Sequence, residues 1–305
     1  MSRVKTLLRR LASRVLDPYI ADLQNRISAL GGELAGELSV TRAEVERIRE
    51  ALRAVSDEEP ANRRRLYELR RDPSYELAFK ERDPLVSFVV PTYDSYETLR
   101  DVALPSILGQ TYANLEVVVI GDGAPPQTAD AVAAIGDPRV TYFNRPYRGP
   151  YPDGEYDRWL VSGTPPFNEG MFRARGRWIA PMADDDAVRP NHTRALVEAA
   201  QSRGHEMCYG GMAVHFEDGR SWELGEFPPR FAGHGTQASI FHAGLGFLHS
   251  GLVDAVFGEP NDWSRTRRML QIGVYIGMVA EVVVDKYESK SSPANYGFVE
   301  DEATS

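Results

Sequence analysis

Three adjacent carboxylates, Asp184, Asp185 and Asp186, follow a short apolar run from Trp178 to Met182. A run of that length before a polar break reads as a buried strand, so the carboxylates stand where the strand ends. In open α/β sheets, ligands bind outside the carboxyl ends of the strands. Three neighbouring like charges repel, and a hard divalent cation with oxygen ligands would stabilise them. A second reading fits the same residues. Aspartates ahead of the helix that follows Pro190 would favour its positive end. On this stretch alone both readings stay open.

The elements that must position these groups come earlier in the chain. Val86 to Val90 is a continuous apolar strand, ended by Pro91, Thr92, Tyr93 and Asp94. Ser95 can cap the helix that follows, and Pro105 should bend or split it. Leu115 to Ile120 is a second buried strand, ended by Gly121, Asp122 and Gly123. A short helix over 128–134 and a strand over 139–143 complete a β-α-β-α-β pattern. Short links between such elements mean a parallel sheet, with strand ends converging on one edge.

Residues 144–167 are rich in Pro, Gly and Tyr and lack periodicity, which predicts a long loop shaping a cleft. Helices are expected over 168–175 and 191–202. Met212 to Leu224 reads as a hairpin with a type I′ turn at Asp218-Gly219. The glycine-rich 233–246 segment reads as a flexible wall of the site. A helix over Trp263 to Gln271, a strand over Val282 to Val284 and a polar tail from Ser289 follow.

The chain has 305 residues, 42% hydrophobic and 26% charged, which is ordinary for a globular protein. A net charge of −9 argues against a general nucleic-acid binder. The single cysteine, Cys208, excludes an internal disulfide and reads as a small buried hydrophobe. No apolar run approaches the roughly 20 residues that span a bilayer. No signal-peptide pattern is present, so the expected location is the cytoplasm, including the inner face of the membrane. Residues 2–16 carry five basic residues and no acid, with an apolar face at helical spacing. Such a helix either lies on an anionic membrane or packs on protein. Leu23, Ile27, Leu30 and Leu34 set one heptad frame, and Leu38, Val45, Ile48, Leu52 and Val55 a second, offset one. With Gly31-Gly32 between them, they predict two helices or a broken coiled coil capable of self-association. Residues 56–84 read as a charged connector. The expected organisation is a helical extension over 1–83, a main domain over 84–288 and a tail over 289–305.

The main domain resembles family 2 glycosyltransferases of the GT-A fold, a Rossmann-like α/β architecture for nucleotide-diphospho-sugar transferases. Four motifs carry the resemblance. Val86 to Asp94 is similar to the family's opening strand and turn, and Ser106 to Gly123 to the stretch leading to its nucleotide-contacting aspartate. Asn168, Gly170, Ala174 and Gly176 fall at the family's spacing before its acidic motif. Asn261-Asp262-Trp263 stands in place of its late acid pair. There are departures. Gly121 replaces the first of two aspartates, Ala183 the first of the acidic motif, and Asn261 a glutamate.

The resemblance implies transfer of a sugar, with inversion, from a nucleoside diphosphate to a hydroxyl of a glycan or lipid-linked acceptor. It implies Asp262 as the base. Pro91, Thr92, Tyr93, Asp94, Asp122, Asn168 and Asp184 would lie against the nucleotide sugar. Asp185 and Asp186 would hold Mn²⁺ or Mg²⁺, which neutralises the leaving diphosphate. An aspartate at 122 suits a uracil or thymine base, hence a UDP- or dTDP-sugar. Asp262 also reads as a helix N-cap, and Asp122 as a turn residue. Arg145, Arg148, Arg173 and Arg175 could contact phosphate, but each alone reads rather as surface charge. Trp222 and Trp263 could stack on a sugar, but read rather as core. Of His234, His242 and His249, at most one is expected to touch substrate. Two other classes compete. A nucleotidyltransferase would need a glycine- and basic-rich loop after the first strand, which Pro91 to Ser95 is not. A non-catalytic scaffold would draw support from Ala183 and Asn261.

Overall fold

A computed structural model describes residues 2–287, with side chains from residue 22 onward. The expected polar tail, and the basic and apolar faces of residues 2–16, lie outside what is described.

Residues up to Asp57 form one unit and those from Glu58 another. The first is a single helix, α1 (Ser2–Asp57). It runs unbroken through Gly31 and Gly32, where two helices or a broken coil were expected. The offset between frames explains why. Leu34 and Val45 are eleven residues apart, three turns at about 3.67 residues each, close to the helical 3.6. The apolar stripe therefore passes from one frame to the next on the same face. Leu23, Ile27, Leu30, Leu34, Ile48 and Leu52 are all exposed along it.

The second unit starts with α2 (Glu59–Leu69), α3 (Leu77–Lys80), β1 (Val86–Thr92), α4 (Tyr96–Thr98), α5 (Leu104–Leu108) and β2 (Leu115–Gly121). It continues with α6 (Pro126–Ile135), β3 (Val140–Asn144), α7 (Glu155–Val161), α8 (Thr164–Arg173), β4 (Trp178–Pro181) and β5 (Ala187–Val188). α9 (His192–Arg203), β6 (Met207–His215), β7 (Ser221–Leu224), β8 (Ser239–His242), α10 (Asn261–Ile272) and β9 (Ile276–Tyr287) complete the described chain.

The nine strands form one sheet in the order β3-β2-β1-β4-β8-β6-β9-β5, with β7 also paired to β6. β3, β2, β1 and β4 are parallel, with Val86 opposite both Leu115 and Trp178. All seven β2 residues are buried, as a strand covered on both faces requires. α8 packs on β1 and β2 at Gly170, where an added Cβ would press into Val89. The charged stretch after Glu58 is folded onto this body. α2 packs against α10 and α3 against α9, and Arg70 makes a two-pronged ion pair with buried Glu206 at 2.7 Å. Among the described residues no helix is long and apolar enough to cross a membrane.

Several local expectations are corrected. Ser95 stands at the cap of α4 without a side-chain capping bond. Pro105 stands in the first turn of α5, and the α-helix is interrupted just before it, in line with the expected split. A π turn over Leu99–Ala103 joins α4 to α5, a wider ring that relieves the clash between the proline and the preceding turn. The 144–167 loop contains α7 and the start of α8, with Glu155 and Asp157 favouring the first turn of α7 and a proline in that of α8. The β6–β7 hairpin has only Gly219 at positive φ, and Phe216 N donates to Arg220 O. Its connection is therefore a type I turn with a glycine bulge, since type I′ needs two positive φ values. The 233–246 segment contains β8, wholly buried between β4 and β6, so that part is sheet interior, while Thr236 and Gln237 just before it line a cavity.

One buried group makes stability depend on pH. His192 is fully buried at the start of α9, its Nε2 3.1 Å from the Gln237 carbonyl. Burial lowers its pKa from 6.5 to about 4, against the opposing pull of that carbonyl. The unfolded chain therefore binds the extra proton first. Stability is full above pH 6.5 and falls as the pH drops from there toward 4, by about 3 kcal/mol in the limit. Denaturant melts at pH 7, 5.5 and 4.5 should show this slope, and His192→Gln should flatten it. An equal slope in the variant would assign the effect to other groups.

Candidate active site

Because β1, β2 and β4 run parallel, Thr92, Gly121 and Pro181 emerge on one edge of the sheet. Two cavities open there. The first, about 290 Å³, is lined by Thr92, Tyr93, Asp94, Asp122, Arg148 and Asp184, among others. The second, about 190 Å³, is lined by Pro181, Gln237, Asn261, Asp262 and Arg265. Pro91, Ser162, Gly163 and Ala183 line both, so the cavities adjoin.

Asp122 anchors the first cavity. It is 3% exposed and accepts from Arg145 Nη1, Gly149 N (3.1 Å) and Tyr151 OH (2.6 Å). A carboxylate offers about four lone-pair directions, so three are spent holding the 145–151 loop and one remains for a ligand. Gly123 makes that loop's return possible. Its φ is +66°, and a Cβ there would lie 2.6 Å from Arg148 N. The Arg148 guanidinium lies 3.8 Å over the Tyr93 ring and 5.7 Å from that of Tyr151. Arg145 and Arg148 thus belong to the site, whereas Arg173 pairs with Glu169 and Arg175 with Glu116, away from it.

The acidic turn separates three fates. Asp184 faces the first cavity. Burial pushes its pKa up to about 7, with the charge of Asp185 adding to the shift and the Thr92 and Ser95 hydroxyls opposing it. Asp185 is half-buried and, among the described residues, accepts no hydrogen bond and joins no ion pair. Asp186 is 0% exposed and turned inward, accepting from Gln237 Nε2 at 3.2 Å and Tyr287 N at 3.1 Å. A metal-holding role for Asp186 would require breaking those bonds. The cap reading of the triplet does not fit, because β5 lies between it and α9, whose cap is Asn191. Among the described residues no three His, Cys, Asp or Glu side chains group as a metal site. One free carboxylate suits a cation that takes most of its oxygens from substrate phosphate and water, as Mg²⁺ does.

Asn168 lines neither cavity itself, but holds Ser250, which lines the second. Its amide donates to Ser250 O at 2.8 Å and accepts from Ser250 N at 3.3 Å, tying α8 to the turn before α10. Asn261 similarly donates to Ser162 O and Thr164 Oγ1. Asp262 is the second residue of α10, two positions beyond a cap position held by Pro260. Its Oδ1 accepts from Trp263 N at 2.7 Å, while Oδ2 has no hydrogen-bond partner among the described residues. His234 is near it, with burial lowering the imidazole pKa and the Asp262 charge opposing. His242 is buried structure, bonded to Tyr75 O and stacked on the Tyr75 ring. Trp222 packs on Phe216, and Trp263 on Phe231 and His234.

The sequence reading favoured surface charge for Arg145 and Arg148, and it passed over Tyr151 and Arg265. Only for Arg265 was a signal available: it is three residues beyond Asp262 on a helix, hence on the same face.

The family model described as glycosyl transferase family 2 matches residues 87–151 and 166–258, just over half of the chain. The succinoglycan biosynthesis protein ExoO of Rhizobium meliloti (strain 1021) is 37% identical over 144 residues, 47% of this chain and 38% of that protein. The putative colanic acid biosynthesis glycosyl transferase WcaA of Escherichia coli (strain K12) is 27% identical over 124 residues, 40% of this chain and 39% of that one. The chain thus spans well under half the length of these curated relatives. Among solved structures, S. aureus TarS 1-349 in complex with UDP-GlcNAc is similar at a TM-score of 0.53 and 14% identity, over 70% of this chain and 61% of that one. That likeness concerns the fold.

Proposed function

This chain belongs to glycosyl transferase family 2, and from that premise we propose that it moves a sugar from a nucleoside diphosphate to an acceptor hydroxyl in a single inverting displacement. The observation that carries the reading is the adjoining pair of cavities. One has the strand-end residues and Asp122, and the other has a carboxylate with one free oxygen, Asp262.

In this reading the base and ribose lie in the first cavity against Pro91, Thr92, Tyr93 and Asp94. The remaining lone pair of Asp122 accepts an N–H from a uracil or thymine ring. Arg148 lies over the phosphate side, and Asp184 contacts ribose or phosphate. Asp185 holds a divalent ion, which neutralises charge on the departing diphosphate. The sugar occupies the second cavity. The acceptor oxygen attacks the anomeric carbon from the Asp262 side, the bond to the diphosphate oxygen breaks, and the hydroxyl proton passes to Asp262. The names of ExoO and WcaA support a part in polysaccharide biosynthesis, in which the acceptor would be a glycan or a lipid-linked sugar.

A thermal-shift panel of nucleoside diphosphates and their sugars, with and without Mn²⁺, tests the reading. Ligands that bind only the native state raise the melting temperature. One nucleotide should shift it, more so with Mn²⁺. No shift with any of them at millimolar concentration would refute the transferase.

Self-association through α1 belongs to the same proposal. With Val45 at heptad position a, Glu44 and Arg49 fall at g and the following e, complementary in a parallel pair. The protein should sediment at twice its 34.0 kDa, and Leu34→Glu with Ile48→Glu should return it to monomer. A monomeric wild type at micromolar concentration would exclude the coil. The basic stretch over 2–16 would then bring the pair to an anionic membrane face, which vesicle flotation reads directly.

A further inference from the structure

Arg265 is the one cation of the second cavity whose place the reaction above leaves unexplained. It is 5% exposed, within the second turn of α10. Its guanidinium carries five N–H donors in a planar fork. Among the described residues it spends one hydrogen bond on protein, from Nη2 to Thr236 Oγ1 at 3.2 Å. No carboxylate lies within ion-pair distance of it among those residues. The Phe167 ring lies at 4.6 Å and that of Phe241 at 5.4 Å, and Arg268 adds a like charge through space. Asp262 and Asp254 act on it only through space, and burial lowers its pKa to about 10. It therefore stays charged at neutral pH.

A buried charge without a partner is costly, and structures keep one where something supplies the counter-charge. Two ring faces offset part of that cost. Water in the open cavity supplies more. When a sugar fills the cavity, that water leaves. A neutral hexose offers hydroxyl oxygens to the fork but no charge. A carboxylate offers two coplanar oxygens and a full negative charge, the geometry for which an arginine fork is suited. Asp262 is not consumed in this role, because no ion pair ties it to Arg265, and it keeps its free oxygen for the proton.

We infer that Arg265 receives the carboxylate of a hexuronic acid seated in the second cavity, so that one of the two sugars this protein joins is acidic. The inference rests on the transferase reading and deepens it.

Titration calorimetry in Mn²⁺ tests it with pairs that differ only at C6: UDP-glucose against UDP-glucuronate, and GDP-mannose against GDP-mannuronate. Free glucuronate and glucose, each added with saturating UDP or GDP, form a second arm. If the acidic sugar belongs to the donor, a nucleotide uronate binds about tenfold or more tighter than its neutral partner, the range expected of a charge-assisted pair. If it belongs to the acceptor, the preference appears instead in the arm with free sugars. Arg265→Met should abolish the preference while UDP or GDP alone binds as before, and Arg265→Lys should keep part of it. Preference for the acid in neither arm of the wild type overturns the inference and needs no folded variant. Equal weakening of the plain diphosphate in Arg265→Met also overturns it, assigning the cation to phosphate. Absence of any nucleotide binding refutes the transferase reading itself, which separates the two failures.

Discussion

Asp262→Asn is expected to lower sugar transfer by about 10²- to 10⁴-fold while leaving nucleotide binding intact. The range is that of a positioned general base. The asparagine side chain keeps the shape of the carboxylate, and its oxygen can still accept from Trp263 N, the 2.7 Å bond that fixes the side chain in the first turn of α10. What it loses is the Oδ2 carboxylate oxygen, which accepts no hydrogen bond from protein among the described residues. Folding should therefore be nearly unaffected, and the loss should fall on turnover. The measurement is transfer rate, with melting temperature and nucleotide affinity as controls. A variant that transfers normally would move the base elsewhere. A protein whose biological role survives the loss of transfer would favour the scaffold reading, for which Ala183 and Asn261 gave some footing. Asn261 is a weaker footing than its sequence suggested. Its amide joins the start of α10 to Ser162 and Thr164, a positioning task that a glutamate could not perform as a donor.

What the sequence made legible follows physical lines. β1, β2 and β4 could be read because strands covered on both faces are continuous apolar runs, and the turns after them held most of the first cavity. The antiparallel half was harder. β8 is four residues, Ser239–His242, set among glycines and short helical turns, and it is a strand because β4 and β6 flank it. Nothing local states that pairing. α7 was hidden by the prolines, glycines and tyrosines around it. The acidic turn shows the limit most clearly. Asp184, Asp185 and Asp186 are identical in type and adjacent, yet one lines a cavity, one stands free and one is wholly buried. Their directions are set by Gln237 and by Tyr287 N, fifty or more positions further along the chain. Arg265 was missed for a related reason: an arginine on a helix usually carries its charge to water. Here the aromatic rings of α8 and β8 close over that route.

Asp185→Asn is expected to remove the extra thermal stabilisation that Mn²⁺ adds to a bound nucleotide and to cut transfer by about 10²- to 10³-fold, the range seen when one transition-state charge contact is lost. The departing diphosphate accumulates negative charge at the mouth of the first cavity, beside Asp184 and Asp122. Without a cation those carboxylates oppose departure. Asp185 makes no hydrogen bond or ion pair to protein among the described residues, so the change should cost little in the unliganded protein. Asp186→Asn should behave in the opposite way. Its oxygens are bonded to Gln237 and to Tyr287 N inside the protein, and an amide nitrogen turned toward either donor leaves a buried clash. Removing one partner from such a contact costs about 1–3 kcal/mol, so its melting temperature should fall while the proportional effect of Mn²⁺ survives. Measured side by side with and without the ion, the two variants give crossed patterns if Asp185 holds the metal. If Asp186→Asn loses the Mn²⁺ effect and Asp185→Asn keeps it, the buried aspartate must turn outward when nucleotide binds, and the ligand assignment moves to Asp186.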